Sequence, residues 1–182
     1  SKIADMDKEI HYYSGEESKS QILLRSNRLN ISQRKIQVST LSNLDEIILK
    51  VNEDTPSLII VDSIQTSFSD RIEGVPGSIN QVRYTCQELV ALCKNLNIIL
   101  ILVGHVTKDG QLAGPKTIEH MVDTVLYFEA DKGNELRLIR TAKNRYGSTS
   151  EVGIFKMTSK GLEQIKNPSS LFLSNSGDNL TG

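Results

Sequence analysis

Apolar residues along this chain return with two different periods, and the alternation between them predicts the fold class. Residues 9–14 (EIHYYS), 35–39, 57–62 and 98–103 (IILILV) form short apolar stretches of strand length. Between them, apolar positions recur every three to four residues, as in a helix with one buried face. Leu44, Ile47, Ile48 and Val51 keep that spacing after Ser42, the expected helix cap. Ser18 with Gln21, and Ser78 with Gln81, form S-x-x-Q capping boxes. The first precedes Ile22, Leu23, Leu24 and Leu29; the second opens a helix expected to bury Ile79, Val82, Cys86, Leu89, Val90, Cys93 and Leu96. The order β-α-β-α-β-α-β predicts an α/β core with a parallel sheet flanked by helices.

After Asp123 the rhythm changes. Residues 124–128, 135–142, 152–157 and 162–165 read as short strands joined by Gly-containing turns, Lys132-Gly133-Asn134 and Ser159-Lys160-Gly161. That pattern predicts C-terminal antiparallel β hairpins attached to the sheet. Two polar, Gly-containing loops interrupt the core, at 63–77 and 106–116, and loops of that length in a compact domain usually carry function. Pro115 starts a short helical segment with Ile118 and Met121, residues 1–8 read as the end of a helix, and the Ser/Asn/Gly-rich residues 167–182 as a tail.

The stretch Leu58-Ile59-Ile60-Val61-Asp62 carries the most chemistry. A strand covered on both faces reads as a continuous apolar run, and open α/β sheets bind ligands at the C-terminal ends of their strands. In a nucleotide-hydrolysing fold, an Asp at that point is the Walker B carboxylate, which helps hold Mg²⁺. An Asp capping the next turn fits the pattern equally well. Glu16 and Glu17 follow the first strand and His105 the fourth, so parallel strands would bring all of them to one rim. For the glutamates the competing reading is negative charge at a helix N-terminus; for His105 it is a histidine satisfied at a strand end.

Composition narrows the partners. The 182 residues suit one core, residues 1–166, followed by the tail. A net charge of −1 leaves any nucleic-acid contact to local basic loops. Aromatic residues are only 5%, with no Trp, so base stacking is not the main binding device. Cys86 and Cys93 sit in an apolar helical pattern and read as core residues, as expected inside cells. No apolar run reaches the roughly 20 residues that span a bilayer.

The segments SGEES (14–18), IIVDSIQT (59–66), PGSINQVR (76–83), VGHVTKDGQLAGPK (103–116), EHMVDTVLYFE (119–129), KNRYG (143–147) and NPSSLFLS (167–174) are far more specific. In order and spacing they resemble the RadA/Sms family of bacterial DNA-repair proteins, RecA/DnaB-like ATPases. The resemblance implies a RecA-like P-loop ATPase core that assembles as a ring, a hexamer when the protein is intact. It implies ATP and Mg²⁺ as cofactors, single-stranded and branched DNA and a RecA-type recombinase as partners, and strand exchange and branch migration as the work done. A bacterial cytoplasm, or an organelle of bacterial descent, is the compartment it implies.

By the same resemblance, Asp62 matches the Walker B aspartate, Glu16 the glutamate that orients water, and His105 the polar sensor. Loops 66–77 and 106–116 are similar to the DNA-facing loops, with Arg71, Arg83, Lys108 and Lys116 as candidate phosphate contacts. Lys143 and Arg145 match a basic pair that reaches a neighbouring subunit's ATP, and Tyr146 stands where the family usually has Phe. Solvated surface charge is the plainer account of these cations.

Three family parts are absent from the sequence: the four-cysteine zinc finger, the G-x-x-x-x-G-K-[ST] phosphate loop and the Lon-protease-like domain. The chain therefore reads as a fragment, expected to bind ATP poorly by itself. A non-catalytic DNA-binding or assembly module of RecA-like fold remains an alternative, as does a DnaB-like helicase, although VGHVTKDGQLAGPK argues against the latter.

Overall fold

A computed structural model describes residues 9–29, 36–105, 113–130 and 136–165. The expectations for residues 1–8, for the turn at 132–134, for residues 106–112 and for the tail from 167 lie outside the described residues. The chain divides into two compact units, Ser1–Val122 and Asp123–Gly182.

The first unit is built on a parallel sheet. Its strands are β1 (Ile10–Ser14), β2 (Ile36–Ser39), β3 (Leu58–Asp62) and β4 (Ile99–Val103), in the order β2-β1-β3-β4. Helix α1 (Lys19–Arg28) joins β1 to β2, α2 (Leu44–Asp54) joins β2 to β3, and α3 (Ile79–Leu96) joins β3 to β4. A short helix, α4 (Ala113–Glu119), follows. The register sets Ser14 opposite Asp62, and Asp62 opposite Val103, so β1, β3 and β4 end level.

Alternate strand residues make the core. Tyr13, Ile59 and Val61, with partly buried Leu100 and Leu102, face Leu44, Ile47 and Val51 of α2 and Val82, Cys86, Leu89 and Cys93 of α3. Each large apolar side chain fully buried there contributes roughly 1.5–3 kcal/mol. The two cysteines are free and buried, and burial pushes both thiols up to about 11. They behave as packing residues.

Local signals hold in part. Ser18 and Gln21 make the expected capping box. Asn43, not Ser42, caps α2, its Oδ1 accepting from Asp45 N at 2.9 Å. Thr55, in the left-handed region at φ 43°, closes that helix ahead of Pro56. Ser78 occupies the N-cap position of α3, yet its side chain makes no cap bond, and the other half of the expected box is missing because the Gln81 amide is turned into the preceding loop. Ile79 and Leu96 at the ends of α3 are exposed rather than buried. The fourth strand departs further from expectation: Ile99 and Ile101 are 45% and 43% exposed, because β4 ends the described sheet and only its Leu100/Leu102 side meets the core.

The second unit holds the hairpins: β5 (Thr124–Ala130), β6 (Leu136–Asn144), β7 (Val152–Thr158) and β8 (Gly161–Gln164). They pair in sequence order as an antiparallel meander and form a sheet of their own among the described residues, rather than an extension of the parallel one. Gly161, at φ 109°, supplies the left-handed residue at the β7–β8 turn.

Candidate functional site

The C-terminal rim of the parallel sheet gathers the polar residues. Gly15 N donates to Asp62 O at 2.9 Å, tying the β1 exit to the β3 exit. A side chain at Gly15 would have no room, since a Cβ there would stand 2.0 Å from Thr66 Oγ1. Glu16 follows, and its Oε1 accepts from Ser63 Oγ at 2.7 Å and stands 3.0 Å from His105 Nε2. His105 is in turn fixed through its backbone, whose carbonyl accepts from Gln65 Nε2 at 3.1 Å. Glu16, Asp62 and His105 therefore come together at one rim, as expected of parallel strands.

The two glutamates are separated in role. Glu17 pairs with Arg25 of α1, and its backbone N–H donates to Ser14 Oγ at 3.1 Å. Glu17 serves the turn into α1, which leaves Glu16 as the acid aimed at the β3 and β4 ends.

Asp62 is half-buried, and Tyr12 donates its hydroxyl to Oδ2. Burial first, then this bond, push the Tyr12 phenol well above its ordinary pKa, so the hydroxyl remains a donor. Among the described residues no cluster of three or more His, Cys, Asp or Glu side chains could hold a metal. Asp62 Oδ1 is the oxygen not engaged by Tyr12. One carboxylate oxygen suits Mg²⁺, which usually binds through one or two carboxylates plus phosphates and water.

The loop after β3 is ordered by one buried amide. Gln81 Oε1 accepts from Ser69 N at 2.9 Å, while its Nε2 donates to the carbonyls of Ser69, Ile72 and Gly74 at 3.0 to 3.1 Å. Asn43 Nδ2 donates to Asp70 at 2.8 Å, and Arg71 pairs with Asp45 at 2.6 Å. A hydrogen bond to Tyr84 and the Asp45 charge hold the Arg71 pKa above its ordinary value. Arg71 is thus a loop residue, as expected, but already engaged. Arg83 lies on α3 rather than in the loop, and is exposed. Lys116 is exposed on α4 rather than in a loop, and Lys108 lies outside the described residues.

In the second unit, Lys143 lies in the last residues of β6, while Arg145 lies in the turn that follows. Arg145 Nη1 donates to Asp123 Oδ1 at 2.8 Å, and Arg145 N to Asp123 O at 3.0 Å. Tyr146 beside it is 83% exposed. The strict strand alternation expected to aim both cations one way ends before Arg145.

Sequence reasoning missed Tyr12, Ser63, Gln65 and Gln81. Ser63 follows Asp62 directly, a signal available in the sequence; the other three depend on strand register and loop path.

No protein-family model matches the chain. Curated relatives do: the DNA repair protein RadA of Streptococcus pneumoniae is 48% identical over 173 residues, covering 95% of this chain and 41% of the relative. RadA of Aquifex aeolicus is 46% identical over 167 residues, and covers 92% of this chain and 38% of the relative. RadA of Brucella abortus is 45% identical over 169 residues, covering 90% of this chain. The chain thus spans 36% to 41% of the length of these relatives. Among solved structures, a KaiC-like protein from Pyrococcus horikoshii matches 89% of this chain and 77% of its own, with a TM-score of 0.69 at 14% identity. That likeness concerns the fold, an α/β core of RecA type. The sequence likeness is closer and runs through nearly all of the chain: it belongs to the RadA family of DNA repair proteins.

Proposed function

We propose that the full-length protein is an ATP-driven DNA repair motor that binds single-stranded DNA and promotes strand exchange and branch migration as a ring. One observation carries this reading: Glu16, Ser63 and His105 converge beside Asp62 at the C-terminal edge of one parallel sheet. Membership of the RadA family supports the repair role, and the RecA-type fold supports nucleotide use.

In this reading Glu16 is the base that orients the attacking water. Ser63 and His105 both hold Oε1, so the second oxygen, Oε2, is left to accept a proton from water. The contact requires His105 Nε2 to carry a hydrogen when Glu16 is ionised. Asp62 would hold Mg²⁺ through Oδ1, and the ion, once bound with ATP, neutralises charge on the phosphates. Lys143 and Arg145 act on a neighbouring subunit's nucleotide, with Arg145 leaving Asp123 to do so. Such a cation in trans accelerates phosphoryl transfer by about 10³–10⁵.

Arg83 and Lys116 offer exposed positive charge to DNA, Arg71 joins them by leaving Asp45, and Lys108 extends the set. Contacts of this kind neutralise phosphates and give salt-sensitive, sequence-independent binding. The test is ATP turnover by the complete gene product with and without single-stranded DNA. DNA-stimulated turnover lost in Asp62→Ala supports the motor; nucleotide binding without turnover in the wild type would return the protein to the class of non-catalytic DNA-binding modules.

A further inference from the structure

We infer that Tyr12 is a positioning residue for the Asp62 carboxylate, holding Oδ2 so that Oδ1 faces the metal-bound nucleotide. The inference rests on the nucleotide reading of the rim proposed above.

Strand register makes the contact possible. Tyr12 lies opposite Ile60 in the β1–β3 ladder, and Asp62 is two residues further along the same face. The phenol therefore reaches diagonally along the sheet surface to the carboxylate, within the range of long side chains on neighbouring strands. The backbone beneath is fixed by Ser14 opposite Asp62 and by the Gly15 N–Asp62 O bond, so the two ends cannot slide apart.

A carboxylate at a strand end turns about two side-chain torsions, and a metal needs it in one setting. Tyrosine is suited to select that setting, because its ring is rigid and has few torsions of its own. The ring is half-buried, lining a cavity of about 400 Å³ under α1 with Ile22, Ile36 and Val38. Its hydroxyl has one acidic hydrogen-bond partner, Asp62. Asp62 then presents one free oxygen in a defined direction. Ser63 does the corresponding work for Glu16, so adjacent residues of β3 and its exit take part in two parallel hydroxyl–carboxylate pairs.

A merely structural role for Tyr12, filling space below α1, predicts that its hydroxyl is dispensable to the metal. A double-mutant cycle on the complete gene product separates the two. The probe is a non-hydrolysable ATP analogue, its binding titrated with Mg²⁺, for wild type, Tyr12→Phe, Asp62→Asn and the double variant. Phenylalanine keeps the ring, and a thermal melt checks that the fold is intact. The expected result is unchanged analogue affinity without metal and a half-saturating Mg²⁺ concentration raised about tenfold, the cost of one hydrogen bond to a charged group. In the Asp62→Asn background the same substitution should have no further effect.

Unchanged Mg²⁺ half-saturation in Tyr12→Phe overturns the assignment, and so does an equal shift with or without the Asp62 carboxylate. Either result leaves the nucleotide reading standing if Asp62→Asn by itself weakens Mg²⁺-dependent binding. Wild-type binding in Asp62→Asn overturns both.

Discussion

His105 Nε2 stands 3.0 Å from Glu16 Oε1, although the strands that carry them, β4 and β1, are separated by β3. The contact passes over the end of β3, where Ser63 adds the second hold on the same oxygen. Because Gln would keep the shape but not the basicity, Glu16→Gln should lower DNA-stimulated ATP turnover by about 10²–10⁴, the usual worth of a general base. Binding of the non-hydrolysable analogue should persist. Wild-type turnover in a steady-state assay removes Glu16 from the chemistry.

A cation that acts across a subunit boundary has a signature that a cis residue lacks. Lys143→Ala should lose about 10³ or more in DNA-stimulated turnover while its melting temperature stays near the wild type. Mixing Lys143→Ala with Glu16→Gln subunits should then restore part of the activity, since some boundaries would join an intact Glu16 to an intact Lys143. If the mixture is as inactive as its components, Lys143 does not act in trans.

The Gln81 side chain is buried among the carbonyls of the loop after β3 and bonds three of them. Gln81→Leu leaves these groups and Ser69 N without their partner, at a cost of roughly 1–3 kcal/mol. A denaturant melt should register that loss, and single-stranded DNA affinity should fall with it. Arg83→Ala, on the exposed side of α3, should weaken DNA binding and reduce its salt dependence without moving the melt. Wild-type DNA affinity in a destabilised Gln81→Leu variant would dissociate the loop from DNA binding.

Which features were legible in the sequence follows from how local they are. The strands and helices of the core were readable because each depends on a period within its own segment, as Leu44, Ile47 and Val51 illustrate. Glu16, Asp62 and His105 were readable as one rim because parallel strands all end on the same side. Capping was less legible: Ser78 and Gln81 have the spacing of a box, but the loop carbonyls compete for the Gln81 amide and win. The Tyr12–Asp62 pair depends on register between β1 and β3, which no single segment encodes. Arg71 and Arg145 looked free because Asp45 and Asp123, their partners, come from other segments.

Gly15 marks the closest approach of the β1 exit to the turn after β3. A Cβ at this position would lie 2.0 Å from Thr66 Oγ1 and 2.4 Å from Thr66 Cβ, so rotating the threonine cannot relieve the clash. Gly15→Ala should therefore destabilise the first unit by roughly 1–3 kcal/mol or more, the range for overpacking. Thr66→Gly in the same chain should recover part of that loss. Equal melts for Gly15→Ala and wild type would mean that the two exits are further apart in solution.

The acid sensitivity of the fold should trace to His11. This side chain is 1% exposed, its Nδ1 is 3.0 Å from Tyr13 Oη, and its Nε2 is 3.4 Å from Asp54 Oδ2 and 4.0 Å from Glu9 Oε2. Burial lowers its pKa below the ordinary 6.5; Asp54 and Glu9 oppose the shift without cancelling it, and Lys50 adds to it. The unfolded chain then binds the proton more readily than the native one, so stability rises with pH wherever that difference exists. His11's contribution is complete above the unfolded value near 6.5 and is lost as pH falls from there through the lower native value. A His11→Gln variant cannot titrate, so the gap between the two stability curves should stay level from pH 8 to about pH 7 and narrow as pH falls below the unfolded value toward about pH 5. Denaturant melts across that range supply the measurement. Parallel curves would assign the acid sensitivity to other groups, because a buried imidazole that resists protonation must lose stability as the solvent offers it protons.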